Sequence, residues 1–173
     1  KDSLKANTTG SGNIGIGLDA GTAITTGNQN IAIGNEALLA TTTNSGNTAV
    51  GYIALQDNTA DHNTAVGGQA LLQNTTGTRN VAVGSFSLDA NTTASENTAV
   101  GYAALSANTT GANNTSVGRS ALSNNTTAAN NTAVGYQALG ENTTGTVNVA
   151  VGSNALDANT TASSGVAIGF NAL

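Results

Sequence analysis

The chain has 173 residues, of which 105 are Ala, Thr, Asn or Gly, and its formal net charge is −5, from four Lys and Arg against nine Asp and Glu. With no Cys, a disulfide framework, a thiol nucleophile and a Cys-rich metal site are all excluded. So few cations suit a polyanion poorly, which argues against nucleic acid as a partner. No apolar run approaches the roughly 18–20 residues of a spanning helix, so no membrane insertion by this segment is expected.

The first residues, Lys1-Asp2-Ser3-Leu4-Lys5, lack the apolar stretch of a signal peptide. Leu4 to Gly12 already matches the tail of a unit that then recurs along the whole chain. Residues 1–12 are therefore read as a partial N-terminal repeat. Residues 13–173 are read as one continuous array of ten units, cut from a longer chain.

The units begin at Asn13, Asn30, Asn47, Asn63, Asn80, Asn97, Asn114, Asn131, Asn148 and Gly165. Their spacing is 17 residues, except for 16 between Asn47 and Asn63. The clearest unit, Asn131 to Val147, reads NTAVGYQALGENTTGTV, and its positions are numbered 1 to 17 below. Position 5 is Gly in all ten units, position 4 is Val or Ile, and position 3 is Ala, Gly or Ser. Position 8 is Ala except at Ser87, position 9 is Leu except at Gly21, and position 13 is always Thr.

A period this short, rich in Asn, Thr and Gly, does not suit a helical repeat. Asn80-Val81-Ala82-Val83-Gly84 alternates instead, with Val81 and Val83 on one face and Ala82 on the other, which is strand periodicity. The Gly at position 5 predicts a turn or a tight approach. Positions 7 to 9 predict a second short strand ending in an inward Leu, and Asn-Thr-Thr-Gly at positions 12 to 15 predicts the return turn. The expected fold class is all-β: a parallel β-solenoid of about ten coils.

One coil burying a Val and a Leu gains about 1.5–3 kcal/mol from each. Ordering its backbone costs about 1–2 kcal/mol per residue. A coil alone cannot fold, and stacked coils at about 4.8 Å each would form a rod roughly 48 Å long. Asn at position 1, and at position 12 in Asn7, Asn58, Asn74, Asn91, Asn108, Asn125, Asn142 and Asn159, predicts stacked amide ladders, with a polar ligand-binding array as the alternative. If positions 2 and 4 face the core, position 3 faces outward, and a column of small outward residues predicts close packing against another copy of the chain. The alternative places position 3 in a cramped core. Thr at position 2 in five units weakens the first assignment.

Asn30-Ile31-Ala32-Ile33-Gly34, Asn80-Val81-Ala82-Val83-Gly84 and Gly165-Val166-Ala167-Ile168-Gly169 resemble the Ser-Val-Ala-Ile-Gly repeat of YadA-like head domains in trimeric autotransporter adhesins. The fuller unit is similar to repeats of bacteriophage tail fibres and related surface proteins. The resemblance covers essentially the whole chain. It implies a left-handed β-roll, three chains around one axis, and a place outside the cell on a bacterial or virion surface. It also brings host-surface glycans and matrix proteins forward as candidate partners. The unit here is a few residues longer than the usual adhesin head repeat, so its cross-section must differ.

No enzyme activity, cofactor, catalytic residue or metal ligand is expected. His62, the only histidine, follows Asp61 in the shortened unit and reads as part of a turn rather than half of a catalytic pair. Asp19, Asp57, Asp89 and Asp157 are scattered and read as solvated charges, not as a metal cluster. The glycines at residues 10–17 superficially resemble a phosphate-binding loop, but no helix is expected after them. Arg79 and Arg119 are candidate contacts for an anionic glycan, although isolated surface cations are commonplace. Tyr52, Tyr102 and Tyr136 share position 6, an edge of variable composition where a ligand could stack on aromatic rings. The competing reading is that they simply cover the turn. Asn-x-Thr sequons such as Asn74-Thr75-Thr76 follow from the turn chemistry. The expected function is a structural and adhesive rod. An ice-binding solenoid, using Thr at positions 13 and 14, is the alternative.

Overall fold

The structure is a computed structural model and describes residues 2–173. Ten three-residue strands follow one another: β1 (Ile14–Ile16), β2 (Ile31–Ile33), β3 (Thr48–Val50), β4 (Thr64–Val66), β5 (Val81–Val83), β6 (Thr98–Val100), β7 (Thr115–Val117), β8 (Thr132–Val134), β9 (Val149–Val151) and β10 (Val166–Ile168). They form a single parallel sheet in sequence order, and no helix occurs among the described residues. Each strand pairs with its counterpart one unit away, Ile31 with Thr48 and Ala82 with Ala99, for example. The chain is a β-solenoid in which one unit makes one turn.

The shortened unit leaves the register intact, since Thr48, Ala49 and Val50 still face Thr64, Ala65 and Val66. The missing residue lies in the return turn. In a full unit the Asn74 Nδ2 donates to the carbonyl of Gly77, three residues on. In the short unit Asn58 Nδ2 reaches the carbonyl of Ala60, two residues on, at 2.8 Å against 2.9 Å in the full unit. The turn absorbs the deletion while its cap is kept.

Which strand face points inward differs from the first expectation. The central residue of each strand is the buried one: Ala32, Ala49, Ala65, Ala82, Ala99, Ala133 and Ala150 are 0% exposed, as is Ser116. Positions 2 and 4 are half-buried to exposed along the whole sheet. The reason is the width of the coil. Ser116 Oγ at position 3 donates to the carbonyl of Ala121 at position 8, 2.7 Å away on the facing wall. Two walls this close admit Ala or Ser between them and nothing larger. The small column is thus the core's own lining, and the face left open to solvent is the opposite one, formed by positions 2 and 4.

Positions 7 to 9 are not a second strand. Position 7 is left-handed throughout, as at Glu36 (φ 56°) and Gln137 (φ 52°), and so is position 9, as at Leu38 (φ 53°) and Leu105 (φ 56°). Coils still bond to one another here: Glu36 N–H donates to the Leu18 carbonyl and Leu38 N–H to the Ala54 carbonyl. The expected inward leucines are present, Leu38, Leu55, Leu71, Leu88, Leu105, Leu122 and Leu139 being fully buried beside the Ala columns. Gly21, the missing leucine, is compensated by Ile24, whose Cδ1 would lie 2.9 Å from a Cβ built on the glycine. Ile24 is fully buried and occupies position 12 of the same unit.

The glycine at position 5 is dictated by close approach as well as by φ. At Gly101 (φ +136°) a Cβ would sit 2.5 Å from the Gly118 carbonyl oxygen of the next coil. The column of glycines lets successive coils meet there backbone to backbone.

Candidate binding surfaces

Position 12 forms the amide ladder expected of it. Asn74, Asn91, Asn108, Asn125 and Asn142 are fully buried, and each Nδ2 donates to the Oδ1 of the Asn one coil earlier at 2.7–3.1 Å. The same Nδ2 also donates to the position-15 carbonyl of its own turn, as from Asn91 to Ala94 at 3.0 Å. Position 1 works differently. Its Oδ1 accepts a backbone N–H from the next coil, Asn97 to Asn80 at 3.0 Å for instance, and its Nδ2 donates to a carbonyl, as from Asn80 to Ala94 at 2.8 Å. That column is a side-chain-to-backbone ladder rather than amide to amide. Both columns are spent on the fold, so the polar ligand-binding array has no free amides there. In the sequon Asn74-Thr75-Thr76 the Asn74 amide is itself a buried member of the ladder.

Threonine at position 13 donates its hydroxyl to the carbonyl of the next coil's threonine, as from Thr75 to Thr92 at 2.9 Å and Thr109 to Thr126 at 3.1 Å. Threonine at position 14 is exposed in every unit that has it.

Asp61 and His62 do not form a catalytic pair. Asp61 Oδ1 accepts the Ser45 backbone N–H at 2.7 Å, and exposed His62 donates its own N–H to the Ser45 carbonyl. Asp61 sits at position 16, where Asn28, Ser95 and Ser163 do the same for the preceding coil. That role, a position-16 side chain capping the coil before it, recurs in five units (Asn28, Ser45, Asp61, Ser95 and Ser163) and was missed in the sequence because the residue type changes from unit to unit. After the glycines of residues 10–17 comes a turn, and the segment contains strand β1.

No group of three or more His, Asp or Glu that could hold a metal ion exists among the described residues. Asp19, Asp57, Asp89 and Asp157 remain apart. Asp89 departs from the solvated reading, because its Oδ1 is buried without a hydrogen-bond partner. That burial raises its carboxyl above the usual 3.8, and the backbone N–H groups of Asp89 and Ala90 offset part of the rise. A shallow, open depression of about 180 Å³ is lined by Gln137, Gly140, Glu141, Asp157 and Ala158.

Two surfaces stand out. The first is the outer face of the sheet, where position 4 supplies a continuous column of Val and Ile and position 2 a column of Thr, Val and Ile. Val66, Val81 and Val83 are each 37% exposed in the middle of this face. The second is the position-6 edge. Tyr102, Arg119 and Tyr136 occupy it in three consecutive coils. The Arg119 guanidinium carbon lies 6.0 Å from the Tyr102 ring centroid and 5.8 Å from that of Tyr136, within cation–π range. Phe86, at position 7 of the preceding coil, lies beside the row and meets Tyr102 edge to face at 5.7 Å. Tyr52 stands apart at 58% exposed. Arg79 is not available in the same way, since it pairs with Glu96 at 3.1 Å, the one ion pair among the described residues. The stacked row was within reach of the sequence, because residues 102, 119 and 136 differ by one period each.

The chain was compared with family models, with curated proteins and with solved structures, and none of the three comparisons returned a match.

Proposed function

We propose that this chain is a rod segment of a trimeric surface fibre, a bacterial adhesin head or a phage tail fibre, that mediates or presents attachment to a host or other surface. The observation that carries the reading is the outer face of the sheet. Ten strands present Val, Ile and Thr to the outside without interruption by a charged residue. A contiguous apolar strip of this kind on a lone chain marks a contact with another protein surface. In this proposal three left-handed coils set these faces against one another around a shared axis, and the flanks outside the axis meet the target. The fibre stands outside the cell, on a bacterial or virion surface. The resemblance of the Asn-x-Ala-Val-Gly units to adhesin heads and tail fibres supports the same arrangement, and host glycans or matrix proteins are its proposed targets.

Light scattering on the purified chain tests the assembly. The proposal expects three times 16.8 kDa. Replacing Val83 and Val100 together by Asp should release monomers whose far-UV spectrum is unchanged, because neither side chain lines the interior. A wild-type chain that stays folded as a monomer at high concentration contradicts the trimer. Binding of the rod to bacterial or host cells and to matrix proteins tests attachment.

A second reading, ice binding, has one observation in its favour. Thr48, Thr64, Thr98, Thr115 and Thr132 point outward from regular strands of the same sheet, and the position-14 threonines form another exposed row. The position-13 hydroxyls, already bonded to carbonyls, count against it. Inhibition of ice recrystallisation by the rod would favour this reading, and its absence would remove it.

A further inference from the structure

We propose that the row Tyr102–Arg119–Tyr136 is a docking strip for an acidic oligosaccharide, one that carries carboxylate or sulfate groups. This deepens the adhesive reading and rests on it, since it names the chemistry of the attached target.

The geometry supplies three components. The first is a lone cation. On a chain of net charge −5, Arg79 is already paired with Glu96, while the Arg119 guanidinium makes no ion pair or hydrogen bond among the described residues. An exposed arginine held between two rings keeps its fork of N–H donors for a ligand, and two parallel bonds to one carboxylate or sulfate suit that fork. The second is a pair of rings. Tyr102 is 53% exposed and Tyr136 44% exposed. Each therefore offers an apolar surface and a hydroxyl to a sugar, whose C–H faces pack on aromatic rings. The third is spacing. Coils climb by about 4.8 Å, so the two tyrosines stand about 10 Å apart along the rod, comparable to two linked sugars with the anionic group opposite the arginine between them.

The rings also fix the arginine. Stacking restricts a side chain that would otherwise lose its rotamer freedom only when it binds. Arg119 is therefore preorganised in a way that exposed Lys5 is not.

The test is binding of the intact chain to immobilised oligosaccharides in three arms: uronic-acid polymers, sulfated glycosaminoglycans and neutral dextran. The strip predicts binding in at least one acidic arm and none to dextran, weakened by salt as exposed charge pairs are. Arg119→Gln should reduce that binding about tenfold or more. Arg119→Lys, which keeps the charge and loses the fork, should fall between. Tyr102→Ala and Tyr136→Ala should each weaken binding, whereas Arg79→Gln and Tyr52→Ala should leave it unchanged. All these side chains are exposed, and an unchanged unfolding midpoint certifies each variant. The acidic arm that binds identifies carboxylate or sulfate as the recognised group. Acidic binding that survives Arg119→Gln overturns the strip and leaves the adhesive reading standing. Absence of glycan binding also overturns the strip. The adhesive reading falls with it only if the rod also fails to bind cells and matrix proteins.

Discussion

Asn91→Ala probes the buried amide ladder at its centre. Asn91 is fully buried, donates to Asn74 Oδ1 at 2.8 Å and to the Ala94 carbonyl at 3.0 Å, and accepts from Asn108 Nδ2 at 3.1 Å. Alanine removes three bonds, each worth about 1 kcal/mol net. It leaves the Asn74 Oδ1 without that donor. The Ala94 carbonyl keeps Asn80 Nδ2 at 2.8 Å, and Asn108 Nδ2 keeps the Gly111 carbonyl at 2.9 Å. The expected loss is therefore about 3 kcal/mol, with a small cavity added. Asn159→Ala is the internal comparison. Asn159 lies in the last ladder step, is only part-buried, donates to Asn142 and Ala162 at 3.1 Å each, and accepts only the solvent-exposed Ala162 backbone N–H at 3.2 Å, with no side-chain amide from a further coil. Its loss should be nearer 1 kcal/mol. Urea unfolding at one fixed protein concentration measures both, since assembly would otherwise shift the midpoint. Equal effects at the two sites, or an Asn91→Ala chain as stable as the exposed-site variant Thr93→Ala, would refute the claim that the ladder contributes through buried, mutually satisfied amides.

Other substitutions address the backbone and the one perturbed carboxylate. Gly101→Ala should cost more than about 3 kcal/mol, because its Cβ would meet the Gly118 carbonyl at 2.5 Å, while Gly68→Ala, whose nearest neighbour is 4.0 Å away, should be neutral. Thermal unfolding of the two variants compares them directly. Val147 is a β-branched residue at φ 60° whose side chain is exposed, so Val147→Gly, which keeps the backbone bond to the Ala129 carbonyl, should raise stability by about 1 kcal/mol in urea titration. Asp89 has a raised folded-state pKa, so the folded chain holds its proton more tightly than the unfolded one. Its contribution is fully present below the ordinary carboxylate value and is lost as pH rises through the raised one. Asp89→Asn should flatten that part of the stability–pH profile, and an unchanged profile would contradict the burial of its Oδ1.

The period, the turn glycine, the inward leucines and the position-12 ladder were all legible in the sequence, because each repeats with one residue type and one physical cause. The facing of the strands was not. Thr-Ala-Val alternates equally well either way, and bulk argued for Val inside. The decisive quantity, a coil so narrow that Ser116 bonds across it to Ala121, is a distance between segments that no local pattern encodes. Positions 7 to 9 misled for a related reason. Their Ala-Leu pair looks like a strand, yet positive φ at position 7 is imposed on Glu36, Ile53, Phe86 and Gln137 alike, residues that carry no glycine-like signal. The docking strip lay between these cases, since its members share a position but mean something together only once adjacent coils are stacked.

Diffraction from an aligned preparation of the rods bears most directly on the central idea that every unit is one parallel rung. A strong spacing near 4.8 Å along the long axis is expected, because the strands run across the rod and repeat once per unit. A 5.4 Å helical pitch along that axis, or a spacing near 4.8 Å lying across it, would contradict the stacked coil and everything inferred from its faces.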